Sequence, residues 1–225
     1  MSKVAVTADR RDASNRLKIT EIFFSIQGEA RFTGWPTVFV RLTGCPLRCG
    51  YCDTAYAFSG GDWWTIEDII VEVERYGASR VCVTGGEPLA QVLCTDFLTA
   101  LCEAGFDVSL ETSGAIDIGS VDSRVCRVVD IKTPGSSEAD RNLWTNLALM
   151  TESDALKFVI CDRGDYEWAR TVLAERALPP CPVFFSPSHD ELEAGTLADW
   201  ILEDRLSVRL QVQLHKVLWG DVPGR

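Results

Sequence analysis

Thr43-Gly44-Cys45-Pro46-Leu47-Arg48-Cys49-Gly50-Tyr51-Cys52-Asp53-Thr54 places three cysteines within eight residues, spaced Cys-x3-Cys-x2-Cys. The β-prone run Thr37-Val38-Phe39-Val40 leads into it, so the cysteine loop starts where a strand ends. Three thiolates this close can surround one metal centre and leave one coordination position open. A zinc ribbon or knuckle would need a fourth cysteine or histidine to close its tetrahedron. The only histidines, His189 and His215, lie far along the chain, and there is no second Cys-x2-Cys. A redox pair of Cys49 and Cys52 leaves Cys45 unexplained. A four-iron cluster held by three thiolates accounts for all three and leaves one iron free to take a ligand.

The rest of the chain is compatible with such chemistry. Its 225 residues are enough for one sizeable core or two small domains, and 46% apolar with 24% charged residues is an ordinary globular composition. A formal charge of -11 argues against broad nucleic-acid or anionic-membrane binding. Residues 1–16 read as a flexible N-terminal tail without the apolar segment of a signal peptide, and residues 17–225 as one domain. No apolar run approaches the roughly 20 residues that span a bilayer, so a reducing cytoplasm is expected. Nine cysteines, an odd number, then argue against a disulfide framework. Six of them (Cys82, Cys94, Cys102, Cys126, Cys161, Cys181) are scattered singly and read as small buried hydrophobes.

Strand and helix signals alternate along the chain. Strands are expected at Lys18–Ser25, Thr37–Leu42, Arg80–Thr84, Asp107–Leu110, Arg127–Val129, Leu156–Ile160, Val183–Phe185 and Val208–Leu214. Helices are expected after the capping box Thr65-Ile66-Glu67-Asp68, and over Val92–Glu103, Tyr166–Arg176 and Leu192–Leu202, with a further polar helical segment before Leu156. This rhythm means an α/β fold with a parallel sheet. About six βα units are too few for a closed eight-stranded barrel, so an incomplete TIM-like barrel follows. The unusual tetrads Gly85-Gly86-Glu87-Pro88, Glu111-Thr112-Ser113-Gly114, Asp130-Ile131-Lys132-Thr133 and Ser186-Pro187-Ser188-His189 stand at strand C-termini. That edge is where parallel α/β folds bind ligands.

The cysteine spacing, with Tyr51 before the last cysteine and Gly85-Gly86-Glu87 one βα unit later, resembles the radical S-adenosylmethionine superfamily. The resemblance implies that the open iron chelates the methionyl amine and carboxylate, and that reduction of the cluster yields a 5′-deoxyadenosyl radical. Ser25-Ile26-Gln27-Gly28-Glu29, Arg41, Cys52-Asp53-Thr54, Val129-Asp130-Ile131-Lys132-Thr133-Pro134 and Gln213-Leu214-His215-Lys216 narrow it further. They resemble the 7-carboxy-7-deazaguanine synthase family of queuosine biosynthesis, over essentially Lys18 to Lys216.

That family converts 6-carboxy-5,6,7,8-tetrahydropterin to 7-carboxy-7-deazaguanine with loss of ammonia. By resemblance, Cys45, Cys49 and Cys52 hold a 4Fe-4S cluster and Thr54 binds Mg2+. Ile26, Gln27, Gly28, Arg41 and Thr84 hold the pterin. Tyr51, Gly86, Glu87, Asp130, Ile131, Lys132, Ser186, Pro187, Ser188 and His189 hold S-adenosylmethionine. The chemistry suits these residues: a guanidinium fork matches a carboxylate, and Gln27 offers donor and acceptor together. A hydroxyl is an acceptable oxygen ligand for Mg2+. An external electron donor such as flavodoxin and a homodimer are implied as well, and no direct contact with nucleic acid or membrane. Ala30 departs from the glycine or serine the family often has there, and the chain continues past Lys216 to Arg225. The competing readings are a glycyl-radical activating enzyme, which shares the cysteine spacing, and a non-catalytic zinc or iron-sulfur protein. The set Gln27, Arg41 and Thr54 speaks against the first.

Overall fold

A computed structural model describes residues 15–220, 222 and 224. The tail reading over residues 1–14 therefore lies outside the described residues, while Arg16, assigned to the tail, is the first residue of a strand. Among the described residues nine strands form one sheet: β1 (Arg16–Ile26), β2 (Pro36–Leu42), β3 (Asp62–Thr65), β4 (Arg80–Gly85), β5 (Asp107–Thr112), β6 (Cys126–Ile131), β7 (Ala155–Ile160), β8 (Val183–Pro187) and β9 (Arg209–Leu210). Their order is β3-β1-β2-β4-β5-β6-β7-β8-β9, so the sheet does not close. From β2 to β9 every pairing is parallel. β1 runs antiparallel to both of its neighbours, which the βα rhythm did not indicate. The result is the expected partial barrel with an antiparallel edge.

Each central strand shows two faces. Val38, Val40 and Leu42 of β2, Val81 and Val83 of β4, Val129 and Ile131 of β6, and Leu156, Phe158 and Ile160 of β7 all enter one buried core with the helices. The residues between them, Phe39, Arg41, Thr84, Glu111, Val128, Asp130, Lys157 and Val159, line a cavity on the other face. This period of two is dictated by the pleat. Register then sets cavity-facing residues side by side: Arg41 opposite Thr84, Asp130 opposite Lys157, and Val159 opposite Ser186.

The first helix forms where its capping box predicts. The Thr65 hydroxyl accepts from Asp68 N at 3.1 Å and opens α1 (Ile66–Arg75), which buries Ile66, Ile69 and Val73. α2 (Cys94–Glu103) and α4 (Ala194–Glu203) match the expected helices to within two residues, and α3 (Arg163–Glu175), capped by Asp162, starts three residues early.

Two expectations fail. The segment before β7 contains no α-helix but three short 3-10 turns at 134–136, 139–141 and 144–149. Asn142 and Asn146 explain it: their amides bond the backbone of Lys132, Gly114 and Ile116, competing with helical hydrogen bonds. The last expected strand shrinks to Arg209–Leu210, and residues 214–219 form a short helix, α5 (Leu214–Trp219). Here the Gln211 side chain takes Ala30 N at 2.7 Å and donates to Ala30 O at 3.3 Å, and Leu214 N bonds Gly28 O. These contacts divert the chain from the sheet and also hold Ala30 at φ 56, a left-handed conformation that favours the glycine it departs from.

Candidate active site

The cavity at the C-terminal edge of the sheet measures about 560 Å³. One wall is the cysteine loop, and Cys45, Cys49 and Cys52 all line it as free, half-buried thiols. The loop is fastened to neighbouring turns: Gly44 N donates to Ala57 O at 2.8 Å, and Glu87 N, in the turn after β4, to Gly44 O at 2.9 Å. Gly86 permits this approach, since a Cβ there would lie 2.3 Å from Gly44 O and 2.7 Å from Cys45 Cβ. Burial pushes the Cys45 and Cys49 thiols above their ordinary range, a bias that a bound metal would reverse by stabilising thiolate.

Three polar atoms around this wall are buried without any hydrogen-bond partner among the described residues: Tyr51 Oη, Asp130 Oδ1 and Ser186 Oγ. Buried polar atoms are nearly always paired, so these three fit a polar molecule bound between the cysteine loop and the ends of β6 and β8. The other Asp130 oxygen is held by Lys132 Nζ at 3.1 Å and faces Lys157 Nζ at 3.8 Å. Burial works to lower the Lys132 ammonium, yet Asp130 and Cys49 outweigh it and hold it above its ordinary value. Among the described residues, no three His, Cys, Asp or Glu side chains converge on one point, as a single zinc would require. Thiolates that each bind a different iron of a cluster have no such requirement.

The opposite wall carries the expected substrate residues. Arg41 Nε bonds Glu21 Oε1 at 2.7 Å, and the guanidinium lies near the Phe23 and Tyr56 rings, 5.7 and 5.8 Å from their centroids. Phe23 stacks on Phe39 at 4.9 Å. Thr84 Oγ1 donates to Glu111 Oε2 at 2.8 Å and Gln27 Nε2 to Glu111 Oε1 at 3.3 Å. Thr54 sits between the walls; its hydroxyl caps nothing and lies 3.7 Å from the Cys52 sulfur.

A third group also lines the cavity and carries no individual role in the sequence reading. Glu29 bonds Lys157 Nζ and accepts from Gln213 Nε2 at 2.7 Å, and Lys216 Nζ lies 3.2 Å from Asp53. Burial pushes the His215 imidazole below its ordinary value, against the pull of Glu29 and Asp53. The run Gln213-Leu214-His215-Lys216 was the available signal, but reading it as a strand end hid that α5 turns it into the cavity. Burial works to raise the Glu29 carboxyl, but Lys157 outweighs it and holds it below 4.5. A depressed carboxylate contributes stability that is present above its unfolded value and lost as pH falls through the folded one. Replacing Lys157 with methionine leaves burial opposed mainly by the Gln213 hydrogen bond, so the Glu29 carboxyl rises; the variant is expected to melt lower than the parent at about pH 7 and to lose less melting temperature than the parent between about pH 7 and about pH 3.

Of the residues expected at the site, all line the cavity except Gly28, Glu87 and Ile131. Ile131 is a core-facing residue of β6, one step out of phase with Asp130. Gly28 is a seat for His215, whose Nδ1 would lie 2.1 Å from a Cβ placed there. Glu87 is fully buried and bonded to Leu89 N, Thr112 Oγ1, Ser113 N and Ser113 Oγ, so its carboxylate is occupied by protein. Ser188 is buried at the end of β8, and His189 beside it pairs with Asp190 at 2.8 Å.

Comparison with known proteins agrees with this geometry. The family model of the Radical SAM superfamily matches residues 39–125. A 7-carboxy-7-deazaguanine synthase from Chlorobaculum tepidum is 44% identical over 208 residues, covering 91% of this chain and 94% of the relative. One from Thermoplasma acidophilum is 36% identical, covering 92% and 99%. The crystal structure of QueE from Escherichia coli superposes with a TM-score of 0.73 at 25% identity, covering 89% of this chain and 95% of that one. SuiB from Streptococcus suis, at 14% identity and a TM-score of 0.56, shares the fold. A cysteine loop, a cavity with unsatisfied polar walls and relatives alike over nearly their whole length agree that this chain belongs to the 7-carboxy-7-deazaguanine synthase family of radical S-adenosylmethionine enzymes.

Proposed function

We propose that the chain converts 6-carboxy-5,6,7,8-tetrahydropterin to 7-carboxy-7-deazaguanine with loss of ammonia, in 7-deazapurine (queuosine) biosynthesis. One observation carries this reading: a single cavity presents three thiols and orphaned polar atoms on one wall and an arginine with a mixed donor and acceptor set on the other. Cys45, Cys49 and Cys52 would hold the cluster. Tyr51, Asp130, Lys132 and the Ser186–His189 segment would hold S-adenosylmethionine beside it. When bound, this pair supplies hydrogen-atom abstraction, chemistry that belongs to the cofactor. The chain's own part is binding, orientation and exclusion of water.

Arg41 is suited to the substrate carboxylate. Glu21 fixes its Nε and the aromatic rings flank it, while among the described residues the terminal nitrogens of its fork have no hydrogen-bond partner. Gln27 and Glu111 meet the polar edge of a pterin; Glu111 is pre-oriented by Thr84, and Gln27 Oε1 accepts from Glu29 N at 3.3 Å. Phe23, Phe39, Leu47 and Phe58 keep the cavity wall apolar between these groups. Mg2+ would bind Thr54 together with the substrate carboxylate, an oxygen-only set that the ion favours. An external reductant such as flavodoxin and a homodimeric assembly complete the proposal. The continuous sheet supports reading residues 17–225 as one domain.

The test is anaerobic turnover by the reconstituted chain, with product identified by mass spectrometry, with and without Mg2+. Product formation that rises with Mg2+ is expected, and Thr54→Ala is expected to lose most of that stimulation while retaining its iron. A chain carrying its cluster that leaves the pterin unchanged would sink the reading. An unaltered Mg2+ response in Thr54→Ala would remove the metal assignment alone.

A further inference from the structure

The two peptide N–H groups flanking Cys49 are both held by one turn far along the chain. Arg48 N donates to Glu138 Oε1 at 2.5 Å, across 90 residues of sequence, and Gly50 N donates to Ser136 O at 3.2 Å. The cysteine loop's own bonds lie elsewhere: Cys52 N to Cys49 O at 3.2 Å, and Arg48 Nη1 to Cys45 O at 2.7 Å and Leu47 O at 2.6 Å. Without the turn, the backbone around the middle cysteine would be tied only to itself.

The turn is built to be stiff. Ser136 Oγ donates to Thr133 O at 2.6 Å and accepts from Glu138 N at 3.0 Å, and Ser137 takes the left-handed conformation at φ 64. Beneath it, the buried Asp165 of α3 accepts from Thr133 Oγ1 at 2.9 Å, Gly135 N at 2.7 Å and Cys161 N at 3.1 Å. At its start, Asn142 clamps Lys132 by both amide atoms, with N–H to Oδ1 and Nδ2 to O each at 2.8 Å. The turn therefore connects Cys49 directly to Asp130 and Lys132, on the wall with the orphaned polar atoms.

We infer that Glu138 is a positioning residue for Cys49, fixing that thiolate relative to the Asp130–Lys132 end of β6. The inference rests on the reading that Cys45, Cys49 and Cys52 hold a cluster. A carboxylate accepting a backbone N–H makes a charge-assisted bond, and its loss frees the Leu47–Arg48 peptide, one residue before Cys49, to rotate. The iron held by Cys49 would then be the first to leave. Glu138 is half-exposed and outside the sheet; besides this bond its charge acts on the Cys49 thiol, and Glu138→Gln separates the two by keeping the acceptor without the charge.

The test compares the full-length parent with Glu138→Ala, Glu138→Gln and Cys49→Ala after anaerobic reconstitution. Three quantities are read: release of iron to an added chelator, the electron paramagnetic resonance signal of the reduced cluster with and without S-adenosylmethionine, and melting of the cluster-free chain. Glu138→Ala is expected to release iron roughly five-fold faster or more, the factor that one net hydrogen bond supplies. Its signal should respond less to S-adenosylmethionine, while the cluster-free chain melts as the parent does. Glu138→Gln keeps an acceptor oxygen and is expected to return the release rate to within about two-fold of the parent. Iron release at the parental rate from Glu138→Ala, or no rescue by glutamine, would overturn the inference. A parent that takes up no more iron than Cys49→Ala would remove the cluster reading as well, so the two failures are distinguishable.

Discussion

Alanine at any one of Cys45, Cys49 or Cys52 is expected to drop bound iron from about four atoms per chain to a small fraction and to take turnover below detection. In the proposed cluster each thiolate would hold its own iron, so two remaining thiolates would leave two irons exposed to exchange. The other cysteines are poor substitutes. Cys82, Cys94 and Cys126 are buried in or behind the sheet, and burial pushes their thiols upward, the Cys126 thiol to about 11. None of the six lines the cavity. The fold has little stake in the three loop thiols, which are only half-buried and bonded to no strand. The cluster-free variants should therefore melt within a few degrees of the cluster-free parent. Iron and sulfide analysis, the visible spectrum and anaerobic turnover check the three parts separately. An iron-replete, active alanine variant would remove that cysteine from the cluster.

Much of this site was legible because it depends on local signals. The cysteine spacing, the strand that precedes it and the polar tetrads at strand ends are contiguous in sequence, and parallel βα topology gathers strand ends at one rim. Helix α1 was marked by its capping box, whereas the Asp162 cap of α3 was not read and its start was placed three residues late. What escaped was decided by contacts between distant residues. Gln211 bonding Ala30 shortens the last strand, and Leu214 bonding Gly28 turns His215 and Lys216 inward on a helix. Asn142 and Asn146 remove a helix by bonding backbone groups up to 32 residues away. The short strand β3, absent from the expected strands, forms because Trp63 and Trp64 pair with Lys18 and Leu17. The phase of β6, which sends Asp130 to the cavity and Ile131 to the core, follows from the pleat once the strand is placed. The tetrad read as a block concealed it.

Glu87 separates two roles that a motif alone runs together. By resemblance it belongs to the S-adenosylmethionine site, yet its carboxylate is fully buried and already accepts from Leu89 N at 3.0 Å, Thr112 Oγ1 at 2.9 Å and Ser113 N at 2.7 Å, and from the Ser113 hydroxyl. It straps the turn after β4 to the end of β5, and through Thr112 and Ser113 it shapes the cavity wall from behind. Glu87→Ala strands several buried donors at once. The expected cost is on the order of 3–5 kcal/mol, since each unsatisfied buried group costs about 1–3 kcal/mol and some relaxation follows. Glu87→Gln keeps one acceptor oxygen and is expected to lose about 1–2 kcal/mol. Urea unfolding of the cluster-free chain measures both, with equal slopes showing that the folded state has not changed its compactness. A glutamate that acted by touching the methionyl amine would give the opposite pattern: parental stability without ligand, and a loss confined to S-adenosylmethionine binding. Because Thr112 and Ser113 stand between Glu87 and the cavity, any binding loss in Glu87→Ala should track the stability loss and recover together with it in Glu87→Gln.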